Sequence, residues 1–120
     1  MKNDQYSLLK EKIKSNDFSS VFLLVDENTD KYCLEIFINK SEINNFKKIV
    51  IKSGEENKNI DTCINIWKEL NSQKADRKSL VINLGGGMLT DIGGFVASTY
   101  LRGIKFVNVP TTLLGMVDAA

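Results

Sequence analysis

Four short apolar runs, each set against a stretch whose apolar residues recur at helical spacing, constrain this chain more than any other feature. The runs are Val21-Phe22-Leu23-Leu24-Val25, Ile49-Val50-Ile51, Leu80-Val81-Ile82-Asn83-Leu84 and Phe106-Val107-Asn108-Val109, the last closed by the only proline, Pro110. Runs this short and this rich in Val, Ile and Leu suit strands of a parallel sheet, and Val21–Val25 suits one covered on both faces. Tyr6, Leu9 and Ile13 predict a helix over 4–16. Cys33, Leu34, Phe37 and Ile38 predict one over 29–38. Ile60, Cys63, Ile64, Trp67 and Leu70 mark a third, and a fourth begins at Gly87 and buries Met88, Ile92, Phe95, Val96 and Tyr100. Strand and helix in alternation give an α/β fold, a doubly wound and mainly parallel sheet. Cys33, Cys63 and Trp67 read as core packing. Asn83, polar inside a buried strand, needs a partner.

Composition narrows the function classes. The chain has 120 residues and a formal net charge of +1, which suits one domain and does not suit a dedicated nucleic-acid binder or a polybasic membrane binder. No run of ~18 apolar residues marks a membrane span, and the start lacks the apolar core of a signal peptide. A cytoplasmic location is expected. The chain has no histidine. A Ser-His-Asp or Cys-His site, or a His-ligated metal, cannot be assembled from these residues alone. Two cysteines give neither a disulfide framework nor a metal-type spacing.

In a parallel sheet, ligands bind beyond the carboxyl ends of the strands. Asp26-Glu27-Asn28 follows the first run, and Ser53-Gly54-Glu55-Glu56-Asn57-Lys58 the second. Gly85-Gly86-Gly87-Met88-Leu89-Thr90-Asp91 follows the third, and Pro110-Thr111-Thr112 the fourth. All four should converge on one rim. The triple glycine lets backbone approach a ligand and take positive φ. The helix after it offers free N–H groups and a partial positive charge, which suits a phosphate or pyrophosphate better than a plain turn. Neither a Walker A loop nor a clean G-x-G-x-x-G is present. Asp91, placed in the first turn of that helix, either answers the helix dipole or binds a ribose hydroxyl. Glu55 and Lys58 are a surface pair or nucleotide contacts. Asp26 and Asn28 make an Asx-type turn and cap, or line the site. Thr111 and Thr112 cap the next segment or face a ligand. Arg102 lies at the opposite rim, as a surface residue or one that reaches a neighbouring subunit.

The stretch from Ser79 to Ile104, with Gly85-Gly86-Gly87-Met88-Leu89-Thr90-Asp91-Ile92-Gly93-Gly94-Phe95 and Tyr100-Leu101-Arg102-Gly103, resembles the 3-dehydroquinate synthase family. So do Val109-Pro110-Thr111-Thr112-Leu113-Leu114 and Met116-Val117-Asp118, and Gly54-Glu55-Glu56-Asn57-Lys58 is similar to the family's Gly-Glu-x-x-Lys segment. The first 50 residues match only in pattern.

The resemblance implies a Rossmann-like, NAD-binding lyase of the shikimate pathway. Its substrate would be 3-deoxy-arabino-heptulosonate 7-phosphate. A hydroxyl is oxidised, phosphate is eliminated, the ketone is reduced by the same cofactor, and an aldol step closes the ring. By position, Asp26 and Asn28 would meet the adenosine end of NAD, and Glu55 and Lys58 would hold the nucleotide. Gly86, Gly87 and Met88 would run along the pyrophosphate, Asp91 would bind a ribose, and Thr111 and Thr112 would lie against the cofactor. Asp118 would contact the substrate, and Arg102 would reach the substrate phosphate of a partner subunit in a homodimer. The family's Gly-Gly-Lys and its helical domain, whose Glu-His-His site holds zinc or cobalt, would lie beyond Ala120. Residues 1–120 would then be an incomplete amino-terminal NAD-binding domain, inert alone. A sister sugar-phosphate cyclase and a free-standing nucleotide-binding module are the alternatives.

Overall fold

A computed structural model describes residues 2–111, with side chains from residue 5 onward. Its elements are α1 (Lys2–Ser15), β1 (Val21–Asp26), α2 (Glu27–Tyr32), α3 (Leu34–Ser41), β2 (Lys47–Ile51), α4 (Ile60–Ser72), β3 (Leu80–Gly85), α5 (Gly87–Thr99) and β4 (Lys105–Pro110). Short 3₁₀ turns precede α4, at Glu55–Asn57, and β4, at Tyr100–Arg102. The strands pair in the order β2-β1-β3-β4, every pair parallel. All four strand runs anticipated from the sequence are present.

Strand alternation sorts the core into two layers. Phe22, Leu24 and Val81 point to one face, where Cys63, Ile66 and Leu70 of α4 and Leu89, Ile92, Val96 and Ala97 of α5 cover them. Leu23, Val25, Leu80, Ile82 and Leu84 point to the other, against Tyr6 and Leu9 of α1 and Phe37 of α3. β1 and β3 are central and covered on both sides, which is why their sequences run apolar without a break.

Three expectations need correction. The helix foreseen over 29–38 is two helices that break at Cys33. Asp26 caps the first of them at the very end of β1, accepting from Thr29 N at 2.7 Å, so a short helix starts earlier than periodicity suggests. On α4, Ile60 and Ile64 are exposed and Ile66 carries the burial instead. On α5, Phe95 is 49% exposed while Leu89, not foreseen, is 1% exposed. α5 has apolar residues around much of its circumference, so the sequence does not say which side meets the sheet. Trp67 is half-buried and leans on the exposed Phe95 ring, its indole N–H donating to Val96 O at 3.3 Å.

Candidate functional site

β1 and β3 are neighbours, but the chain leaves β1 for one side of the sheet and resumes at β3 on the other. The carboxyl ends of these two strands therefore part at a topological switch point, where a crevice opens. It is occupied by a cavity of about 330 Å³ lined by Asp26, Gly54, Glu55, Gly86, Gly87, Met88 and Leu89. Three separate strand ends supply those residues. A larger cavity of about 550 Å³ lies at the amino rim, among Lys10, Lys14, Ser19, Asn44 and Lys47. It gathers no strand carboxyl ends and no helix N-terminus.

The glycine turn is built in three different ways. Gly85 ends β3 with no room to spare, since a Cβ there would lie 3.0 Å from Leu89 Cδ2 and 3.1 Å from Leu89 Cβ. Gly86 caps α5 in an extended conformation (φ −86°, ψ −170°) with no side-chain cap. Nothing lies within 4 Å of where a Cβ would stand on Gly86 or Gly87. None of the three has positive φ, contrary to one reason given for them, since positive-φ glycines among the described residues are Gly54 and Gly103. What the second and third glycines leave is open room. The first intrahelical bond runs from Thr90 N to Gly86 O at 3.0 Å, so the N–H groups of Gly87, Met88 and Leu89 have no partner within the helix. Gly87 and Met88 line the cavity, which gives it an anion-binding character.

The acidic and amide groups sit around this turn. Asn28 Nδ2 donates to Ser53 Oγ at 3.1 Å, and Ser53 Oγ donates to Glu27 Oε1 at 3.3 Å, so the connections after β1 and β2 are tied together. Gly54 at φ 111° turns the chain into the 3₁₀ segment; a side chain there would collide with the Glu56 carboxylate. Asn57 Nδ2 holds Ser53 O at 2.8 Å. Lys58 Nζ pairs with Asp91 Oδ2 at 3.2 Å, both side chains being exposed. Asp91 lies in the second turn of α5, not the first, so the helix dipole is a weak explanation for it. Ser53 and Asn57 were not singled out from sequence. Their place directly after β2, on the same rim as the glycines, was the available signal.

Burial pushes the Cys33 thiol up, and the Asp26 charge adds to this, so Cys33 stays protonated and offers no nucleophile. The groups here can hold an anion and hydroxyls.

Pro110 pairs in register with Gly85, which brings Thr111 beside the glycine turn. Thr112 and Asp118 lie outside the described residues. Arg102 stands before β4 at the amino rim, away from the cavity, exposed, and at φ 70° beside Leu101 at φ 48°. Among the described residues no group of three or more Cys, Asp or Glu could hold a metal, and no helix is long and apolar enough to cross a membrane.

The fold recurs in solved proteins. The structure of 2-deoxy-scyllo-inosose synthase, also solved with carbaglucose-6-phosphate, NAD+ and Co2+, superposes with a TM-score of 0.76 at 20% identity over 88% of this chain and 30% of that one. The 2-epi-5-epi-valiolone synthase of Streptomyces hygroscopicus subsp. jinggangensis, solved with NAD+ and Zn2+, gives 0.67 at 30% identity over 85% of this chain and 29% of that one. In sequence, the 3-dehydroquinate synthase of Alkaliphilus oremlandii is 45% identical over 101 residues, 84% of this chain and 28% of its own. That of Parabacteroides distasonis is 40% identical over 98% of this chain and 33% of its own. That of Clostridium botulinum is 41% identical over all of this chain and 38% of its own. The chain thus spans about a third of the length of these relatives. The family model described as 3-dehydroquinate synthase N-terminal matches residues 48–120, from β2 through the glycine turn and onward. With that match running through Gly54, Glu55 and the glycine turn of the crevice, the chain belongs to the 3-dehydroquinate synthase family.

Proposed function

We propose that this chain is the NAD-binding part of a 3-dehydroquinate synthase, a phosphate-eliminating lyase that converts 3-deoxy-arabino-heptulosonate 7-phosphate to 3-dehydroquinate and phosphate. The observation that carries the reading is the unpartnered start of α5 facing a cavity at the sheet's switch point, with empty room where Gly86 and Gly87 lack side chains. A diphosphate fits that room, because backbone can come within hydrogen-bonding reach of its oxygens. The names of the relatives, and the NAD+ in both kinds of solved neighbour, support it further.

In this reading Gly86, Gly87 and Met88 bind the diphosphate through backbone N–H groups. Asp26 and Glu55 line the same cavity. Their carboxylates repel phosphate and accept from hydroxyls, so they orient the cofactor with its sugars away from the helix start. Asp26 and Asn28 serve the adenosine end, and Asp91, steadied by Lys58, takes a ribose hydroxyl. Thr111 and Thr112 lie along the cofactor. Asp118 contacts substrate. Arg102 answers a phosphate dianion in the other subunit of a homodimer, a role that suits its fork of donors and its place far from the chain's own cavity. Bound NAD supplies a hydride acceptor that later returns the hydride, so the cofactor ends unchanged. A divalent zinc or cobalt ion, of the kind the solved neighbours carry, is in this reading held by residues outside this chain. Residues 1–120 are, in this reading, an incomplete amino-terminal domain of a cytoplasmic enzyme whose partner is a small sugar-acid phosphate, with no nucleic acid or membrane involved.

The test is phosphate release by the natural protein from the heptulosonate phosphate. Release is expected to depend on added NAD and on a divalent metal. Net NADH production from a polyol, or turnover of a different sugar phosphate in its place, overturns the assignment; the second result would favour a sister cyclase.

A further inference from the structure

Asn83 is a carboxamide in the middle of β3 with 0% exposure. Its Nδ2 donates to Asn108 Oδ1 at 3.1 Å, across the β3–β4 register. Its Oδ1 has no hydrogen-bond partner, an unfavourable state for a buried acceptor. The reason for keeping it lies directly above. A Cβ on Gly93 of α5 would meet Asn83 Oδ1 at 2.0 Å and Cγ at 2.3 Å. Gly93 has ordinary helical φ, so what excludes a side chain there is the carboxamide beneath it. That group is flat and anchored at one end by Asn108, which leaves it one thickness and one orientation. An aliphatic side chain would be thicker and free to change rotamer.

We propose that Asn83 and Gly93 are positioning residues for the nucleotide site. The carboxamide sets the height of α5 above β3. A helix is stiff, and Gly93 stands roughly 9 Å along the axis from Gly87, so that height also fixes where the unpartnered N–H groups of Gly87 and Met88 point. Asn108 belongs to the strand that ends at Pro110, beside the glycine turn. One side chain thereby ties together β3, β4 and α5, and the turn from β3 into α5 lines the cavity. The inference rests on the NAD reading above.

The experiment compares Asn83→Ala, Gly93→Ala and the double variant in the natural protein. NAD+ affinity is measured by calorimetry well below each variant's unfolding midpoint. Gly93→Ala is expected to weaken NAD+ binding at least ~10-fold. The double variant should return to within roughly threefold of Asn83→Ala, because the new methyl takes the space of the removed oxygen. Unchanged affinity in Gly93→Ala, with only its unfolding midpoint lowered, overturns the proposal and leaves the NAD reading standing. So does a double variant no better than Gly93→Ala. A wild-type protein that fails to bind NAD+ overturns the NAD reading itself, and the positioning role with it. Asn108→Ala covers the case in which Gly93→Ala does not fold. Asn108 is exposed, and its loss frees the carboxamide while leaving every residue of α5 unchanged; a loss of about threefold or more is expected, and unchanged affinity overturns the proposal.

Discussion

Alanine placed in turn at Gly85, Gly86 and Gly87 should give three different outcomes. At Gly85 the methyl would press on the buried Leu89 at 3.0–3.3 Å. Overpacking of that kind costs about 1–3 kcal/mol, because Leu89 is wedged between α5 and the sheet and cannot swing away. At Gly86 and Gly87 the methyl meets nothing within 4 Å. Gly86→Ala should lose less than ~1 kcal/mol, the difference between glycine and alanine as a cap. Gly87→Ala should gain up to ~1 kcal/mol from helix propensity. The proposed diphosphate, however, occupies the space these methyls enter. NAD affinity should therefore fall at least tenfold at both, about 1.4 kcal/mol, while stability drops slightly at Gly86 and holds or rises at Gly87. Urea unfolding gives the first quantity and calorimetric titration with NAD+ the second, both on the natural protein. If Gly86→Ala and Gly87→Ala bind NAD+ as tightly as wild type, the empty room is not ligand room and the central argument fails. If Gly85→Ala is harmless, the packing account of that residue is wrong.

Other predictions are sharp enough to check. Lys58→Ala removes an exposed ion pair with Asp91 and should change stability by under ~1 kcal/mol, while NAD affinity falls by more than that; comparing unfolding midpoints with NAD+ titrations decides it. Arg102→Gly relieves a left-handed backbone at φ 70° and should stabilise by about 1 kcal/mol, yet weaken sugar-phosphate binding far more than NAD binding. Equal losses for both ligands would refute the cross-subunit role. Asp76 is held below the usual carboxylate range by the Ser19 hydroxyl and then by the Lys78 backbone N–H. A lowered folded-state value means its contribution is present above about pH 4 and lost as the pH falls through the folded value, so urea midpoints should drop on acidification and Asp76→Asn should flatten that drop.

The sheet was legible because β1 and β3 are covered on both faces, which leaves an unbroken apolar signature at Val21–Val25 and Leu80–Leu84. The meeting of strand ends on one rim followed from parallel pairing alone. Side-chain detail did not follow. The Lys58–Asp91 pair joins residues 33 apart in sequence, and no local pattern announces such a contact. Phe95 and Leu89 could not be told apart because apolar residues ring α5, and only the position of the sheet decides which is buried. The cap at Asp26 is legible from its residue type, but the helix it starts is short and polar, Glu27–Tyr32, and carries no apolar period that would set it apart from the helix after Cys33. The triple glycine was assigned the right place but one wrong reason. Their backbone conformation is ordinary, and what Gly86 and Gly87 leave is open room.

The strand order has a consequence for synthesis on the ribosome. β1 emerges early yet sits between β2 and β3, and its partner strand in β3 begins roughly fifty residues later in the chain. At ~5–20 residues per second that leaves β1 with one naked hydrogen-bonding edge for roughly 2.5–10 s. No hairpin can shield it in the meantime, since every pairing here is a long-range parallel one. Val21–Val25 is then a sticky, uncharged strand during translation, and slow codons or chaperone loss between residues 26 and 80 should raise aggregation of the nascent chain more than the same delay after β3 is complete.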